Sequence, residues 1–351
     1  MAEPQGAEWM RLMRRGDWTQ AWAISDAALA ARAGRRDWNA PRHLQAIWDG
    51  SPLAGRRVLV RCYHGLGDTI QFVRFIPALR AIAGEVTSWV QPALIPLLRT
   101  MPGIGWLAPL HDGTPAIAHD VDIEIMELAH ALRVTPETLP AEVPYLHPRP
   151  PAERTPGLAV GLVWAAGAFD PTRSVPLRLL EALAEVPGVR LYILQHGPAL
   201  AERPPGFGLD AGHGDLMGLA SLIRGLDLVI TVDSMPAHLA GALGVPYERV
   251  AGADRYATAA NVAAWADSRG LASFGCVGVA TGTGFADALG GGAAVGAHGG
   301  VVLLTKPTSV SGYTRGAIEA HDDEIRTMWI LGGSAAVSDS TMATLTGLLP
   351  D

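Results

Sequence analysis

The stretch from Arg56 to Ala83 does most to limit what this chain can become. It reads RRVLVR, then a glycine turn HGLGD after Cys62 and Tyr63, then TIQFVRFIPALRAIA. A short apolar run is the signature of a buried strand, and the longer segment that of a helix. Strand, glycine turn and helix in that order open a βαβ unit, whose next strand runs parallel to the first. The sequence downstream keeps to that plan. Val86 to Val90 reads as the next strand, Ala93 to Thr100 as a helix, and DVDIEIM, from Asp120 to Met126, as a further strand.

Residues 8–33 read as two short helices around Gly16-Asp17. Trp9, Leu12 and Met13 recur at helical spacing before the turn, and Trp18, Ala21, Trp22 and Leu29 after it. HPRPPAERTPG, from His147 to Gly157, is rich in proline and charge and reads as a linker. Beyond it come a strand LAVGLVW from Leu158, a helix from Pro176 to Glu185 and a strand from Val189 to Gln195. A helix from Leu216 to Leu226, a strand DLVITV from Asp227 and a helix in PAHLAGALG complete the series. Strands alternating with helices imply a parallel, doubly wound α/β sheet in each half.

After Pro246 the pattern starts afresh. Helix (Ala257 to Ser268), strand (Cys276 to Ala280), helix (Phe285 to Ala294), strand (Gly300 to Thr305), helix (Ser311 to Ala320), strand (Thr327 to Leu331) and helix (Asp339 to Leu349) form a small α/β unit. No copy of it is visible upstream. The expected division is residues 1–50 helical, 51–150 a first lobe, 157–246 a second lobe and 247–351 the small unit.

Composition narrows the function classes. The 351 residues suffice for two or three domains, and 49% apolar with 17% charged residues supports a sizeable core rather than disorder. A net charge of −7 argues against a general nucleic-acid binder and against a polybasic membrane anchor. Cys62 and Cys276 sit in apolar strand-like runs, which suits two buried thiols rather than a disulfide framework or a metal knuckle. The N-terminal residues show no apolar signal region, and the run Gly284 to Thr305 is broken by glycines and polar residues. The expectation is a cytoplasmic chain with no transmembrane segment.

Four turns carry chemistry. In HGLGDTIQF, Gly65 and Gly67 let the backbone turn tightly and let a ligand approach, while the helix start favours an anion. Asp68 is wrong for a simple phosphate cradle. It suits a general base at the edge of a parallel sheet, or else a helix cap. In ITVDSMPAHLAGALG a strand ends at Asp233, Ser234 can cap, Pro236 fits the first helical turn, and His238 could donate to a phosphate. The loop AAGAFDPTRS offers Arg173, either as a clamp for a diphosphate or as a solvated surface arginine. LQHGP places Gln195 at a strand end. All four lie at the C-terminal ends of expected parallel strands, where open α/β sheets bind ligands.

The segments GDWTQAW, WDGSPLAGRRVLVRCYHGLGDTIQFVRFIPAL, GLVWAAG with RSVPL, LQHGP, and DLVITVDSMPAHLAGALGVP together resemble glycosyltransferase family 9, the heptosyltransferase-like group. The likeness runs from about Gly16 to Pro246 and is closest to members with tetratricopeptide-type helices in front. The resemblance implies a GT-B pair of Rossmann-type lobes and transfer of a sugar from a nucleotide-diphosphate donor to a glycan or lipid-linked acceptor, with inversion and without a metal or other cofactor. It makes Asp68 the catalytic base. It gives Ser234 and His238, with Asp233, Arg173, Gln195, Gly65 and Gly67 nearby, to the donor. Ser234 stands where the family usually has threonine, Pro236 is unusual in the helix start, and the family's continuation after GVP is replaced, which leaves the second lobe truncated.

What replaces it, YERVAGADRYATAANVAAW, VATGTGFADALGGGAAV, VVLLT and MWILGGSAAVS, resembles one cell-wall-binding repeat of type 2 over Arg249 to about Leu349. Arg249, Gly252, Asp254, Arg255, Tyr256, Ala257 and Thr258 match its opening. Phe285, Ala286, Asp287, Ala288 and Leu289 match its middle. Such repeats attach secreted proteins to anionic wall polymers, usually as three copies. Their Arg and Asp side chains either tie the repeat together or touch ligand. Three readings stay open from sequence: an active transferase with an appended module, a wall-polymer-binding protein with an inert transferase piece, and a fusion without selected function.

Overall fold

The computed structural model describes residues 3–32, 40–149, 157–167, 173–211, 214–245, 254–284 and 286–349. The chain divides into two compact units, Met1–Tyr247 and Glu248–Asp351.

The first unit opens with helices α1 (Glu3–Arg15) and α2 (Trp18–Ala31), turned at Gly16, whose φ of +82° suits a residue without a Cβ. Trp22 Nε1 donates to the Val134 carbonyl at 2.6 Å, and Arg133 and His130 both bond Asp26, so the helical pair is fastened to the lobe behind it. That lobe follows as β1 (Arg57–Arg61), α3 (Leu66–Phe72), α4 (Ile76–Ile82), β2 (Glu85–Val90), α5 (Ile95–Leu98), β3 (Trp106–Pro109), β4 (Val121–Glu124) and α6 (Leu128–Ala131). Its sheet runs β3-β2-β1-β4, all parallel. The helix expected after the HGLGD turn is broken. A 3₁₀ turn at Val73–Phe75 separates α3 from α4, and Pro77, which lacks an N–H, opens the second piece.

The second lobe is β5 (Leu158–Val163), β6 (Val189–Ile193), β7 (Leu209–Asp210), α7 (Leu216–Arg224), β8 (Leu228–Thr231) and α8 (Met235–Ala242). Its sheet runs β7-β6-β5-β8, again all parallel. Two expectations are corrected here. The helix from Pro176 to Glu185 is a pair of 3₁₀ turns, Leu177–Leu179 and Glu181–Glu185, and the strand from Asp227 ends at Thr231, two residues before Asp233. One apolar core joins the two lobes, running from Val58, Val60 and Ile70 to Leu219, Val229, Leu239 and Ala242. Backbone bonds add to it, since Tyr145 and Leu146 both donate to the Ala242 carbonyl at the end of α8.

The second unit is α9 (Arg255–Ser268), β9 (Ser273–Thr281), α10 (Ala286–Ala297), β10 (Gly300–Thr305), α11 (Gly312–Glu319), β11 (Thr327–Leu331) and α12 (Asp339–Thr346). Its three strands lie in the order β10-β9-β11, all parallel, over a separate core of Phe274, Val277, Val279, Leu303, Ile318 and Leu345. Cys62 and Cys276 are buried free thiols, and burial pushes the Cys62 thiol well above its ordinary value. Among the described residues no helix is long and apolar enough to cross a membrane.

Candidate functional site

The first lobe brings three groups to the end of β1. Gly65 begins α3 in extended conformation, and its N–H donates to Asp68 Oδ2 at 2.9 Å. Asp68 thus caps its own helix through one oxygen, while Oδ1 has no hydrogen-bond partner among the described residues. Gln91, at the end of β2, grips the same turn from the side. Its Nε2 donates to the His64 carbonyl at 2.7 Å, and its Oε1 accepts from Thr69 Oγ1 at 3.0 Å. His64 Nδ1 lies 3.0 Å from Glu124 Oε1, at the end of β4. The Glu124 hydrogen bond raises the proton affinity of His64 above the ordinary imidazole value. Burial opposes it, and the charges of Glu124, Asp68 and Glu127 add to it.

The second lobe answers with α8. Ser234 precedes the helix in extended conformation, but its hydroxyl does not cap it. The Oγ donates to the Val232 carbonyl at 3.1 Å and lies 3.0 Å from Thr231 Oγ1, so the Met235 N–H that opens α8 is left without that partner, while Pro236 has no N–H and the Ala237 N–H donates to the Ser234 carbonyl. Asp233 faces two nitrogen-bearing side chains. Its Oδ2 accepts from Arg173 Nη1 at 2.9 Å, and its Oδ1 lies 3.7 Å from His238 Nε2. The Asp233 side chain is 63% exposed, so this cluster is open to exchange with a solvent-borne anion.

The two turns meet. A Cβ built on Gly67 would stand 2.6 Å from His238 Cδ2 and 3.2 Å from the Met235 Cα, distances only a glycine permits. The turn that carries Asp68 therefore packs on the start of α8, which carries His238 and follows Asp233 and Ser234, and Arg173 reaches Asp233 from the loop after β5. Gln195 is different. It is 3% exposed, its Oε1 accepts from the Trp164 and Ala165 N–H groups, and its Nε2 donates to the Ala165 and His196 carbonyls. It shapes the loop that carries Arg173.

In the second unit Asp254 caps α9 by accepting from the Tyr256 and Ala257 N–H groups at 2.9 and 2.8 Å. Arg255 Nη1 donates to the Gly282 carbonyl at 2.6 Å, tying α9 to the end of β9. Asp287, in the first turn of α10, lies against Gly332, whose φ of +101° excludes a side chain there. These side chains hold the unit together. Arg249, Gly252 and Phe285 fall outside the described residues.

Two family models match the chain. Residues 207–250 match glycosyltransferase family 9 (heptosyltransferase), and residues 249–342 match cell wall binding domain 2. The first match spans Asp233, Ser234 and His238; the second spans Arg249, Asp254, Arg255 and Asp287. Among curated proteins, Protein FlbA of Caulobacter vibrioides is 28% identical over 250 residues, which is 60% of this chain; the chain covers 41% of that relative. Among solved structures, the iron-containing dodecameric glycosyltransferase TibC of enterotoxigenic E. coli aligns at 17% identity and TM-score 0.43, over 56% of this chain and 58% of its own. Cwp8 of Clostridium difficile aligns at 13% identity and TM-score 0.34, over 86% of this chain and 49% of its own.

Proposed function

We propose that the first unit transfers a sugar from a nucleotide-diphosphate donor to a hydroxyl of a glycan or lipid-linked acceptor, with inversion. One observation carries this reading: the HGLGD turn and the DSMPAH turn, far apart in sequence, pack on each other at Gly67. The donor diphosphate rests at the start of α8, where the Met235 N–H and the positive helix end favour an anion, and exchanges with Asp233 for Arg173 and His238. Asp68, at the HGLGD turn, takes the proton of the acceptor hydroxyl. That oxygen attacks the anomeric carbon from the face opposite the diphosphate, which leaves with the bonding electron pair. The family 9 match over residues 207–250 supports the donor side. Such donors are made in the cytoplasm, where we place this step.

Calorimetric titration of the whole chain with nucleoside diphosphates and their sugars tests the reading. Arg173→Gln and His238→Gln should each weaken binding about tenfold, the loss of one charge-assisted hydrogen bond. No heat with any nucleotide, or unchanged affinity in both variants, would remove the donor site. A second reading rests on the match of residues 249–342 to a cell wall binding domain: the second unit retains the chain on an anionic wall polymer. Failure of the full chain to sediment with isolated cell walls would reject it.

A further inference from the structure

A second place on the first unit, away from the two turns, has the makings of a binding site, and it stands independently of the sugar-transfer reading. A cavity of about 390 Å³ opens between the 3₁₀ turn before α4, the residues after α5 and the segment 140–147 that leads out of the first lobe. Its walls are largely apolar, with Pro77, Met101, Pro102 and Pro144 among them. One guanidinium faces them. Arg74 lies over the Tyr145 ring at 4.9 Å, donates from Nη2 to the Tyr145 hydroxyl at 3.2 Å, and reaches the Pro140 carbonyl from Nη1 at 3.4 Å. Both bonds are long and go to neutral oxygens, and the buried Nε has no partner. Among the described residues no carboxylate pairs with Arg74, although Glu142 lines the same cavity from an exposed position. A planar guanidinium with donors to spare beside an apolar wall suits a carboxylate that carries an apolar body.

The aromatic support of that guanidinium is fixed before any ligand arrives. Tyr145 is 9% exposed; its hydroxyl donates to the Ile70 carbonyl in α3 at 2.9 Å, and its N–H donates to the Ala242 carbonyl at 3.0 Å. Little ordering is then left for a ligand to offset. We propose that this cavity binds an organic monocarboxylate with an apolar body. The carboxylate takes the Arg74 Nη groups, and the body lies against the prolines and Met101. Glu142 adds a negative charge to the same cavity, which sets it against ligands of higher charge such as phosphate esters and dicarboxylates. The volume is that of a small-molecule site.

Calorimetric titration of the full chain with octanoate, without nucleotide, tests it. One saturable site is expected, with a Kd below about 1 mM. Octan-1-ol, which keeps the chain and loses the charge, should bind about tenfold more weakly or not at all, and octylammonium should not bind. Butanoate should also lose about tenfold or more, since each buried methylene is worth about fourfold. Arg74→Gln should weaken octanoate about tenfold, and Glu142→Gln should tighten it while admitting octyl phosphate. Because Arg74 also holds Tyr145, a second variant avoids its role in folding: Ala78→Trp, at an exposed lining position, should fill the cavity and abolish binding with the melting point little changed. No saturable octanoate site, equal affinity for octan-1-ol, or octanoate binding that survives Ala78→Trp would overturn the proposal. None of these results bears on nucleotide binding, which is titrated separately.

Discussion

Gly67→Ala adds one methyl group at the place where the lobes touch. The residue is buried in α3, so helix propensity and a less flexible unfolded chain favour the alanine by about 0.4–1 kcal/mol. Against that stands the space. The new Cβ would lie 2.6 Å from His238 Cδ2 and 3.2 Å from the Met235 Cα. The imidazole can swing aside, but Met235 contributes backbone at the start of α8, so the helix itself must shift. Overpacking of this kind costs about 1–3 kcal/mol, leaving a net loss of about 1–2 kcal/mol. For a unit of roughly this size that is about 2–8 °C in Tm, read by differential scanning calorimetry of the whole chain. Gly65→Ala is the control: its Cβ would meet only Asp68 Oδ2, at 3.2 Å, and the backbone there is extended, so the melting point should hardly move. Displacement of His238 should also weaken nucleotide diphosphate binding in Gly67→Ala alone. Equal melting points and equal affinities for the two variants would refute the close approach of the turns.

Three further outcomes are expected. Asp233→Asn removes an exposed carboxylate that competes for Arg173 and His238, so calorimetry should show nucleoside diphosphates binding about fivefold tighter at low salt, converging on the parent at high salt; weaker binding would mean that Asp233 orients Arg173 instead. Asp122→Ala removes the carboxylate from a buried ion pair of 2.6 Å with Arg61, both residues under 10% exposed, and leaves the guanidinium its bond to the Tyr63 hydroxyl, so it should destabilise the first unit by about 3 kcal/mol in urea unfolding. Because the folded state raises the proton affinity of His64, its contribution to stability is complete below about pH 6.5 and fades as pH climbs through the folded value; urea midpoints should fall across that window, and His64→Gln should remove that part of the slope.

Central strands were legible because they are short, mostly apolar runs: RVLVR, VDIE and LAVGLV are buried almost throughout, with Arg61, Asp122 and Glu124 as the buried polar exceptions. Edge strands were not. β3 exposes Trp106 at 71%, and β7 is two exposed residues, so neither shows the alternation or apolar run by which a strand is recognised. The 3₁₀ turns at 177–185 carry helical spacing in sequence, and only packing decides against a full helix. At the candidate site the glycines, Asp68 and the start of α8 could be read from local turn chemistry. The engagement of the Ser234 hydroxyl by the Val232 carbonyl could not, since serine before a helix usually caps it. Gln91 and Glu124 were missed for a different reason. Their partner His64 is 27 and 60 positions away, so the signal exists only once β2 and β4 flank β1.

The two sealed thiols have a practical consequence. Cys62 is fully enclosed at the end of β1, and Cys276 lies inside β9 at 8% exposure, so neither should react with a maleimide while the chain stays folded. A cysteine placed at an exposed position such as Leu44 or Tyr313 would then take a fluorophore or spin label at one known spot on a single unit, with the parent chain as a dark control.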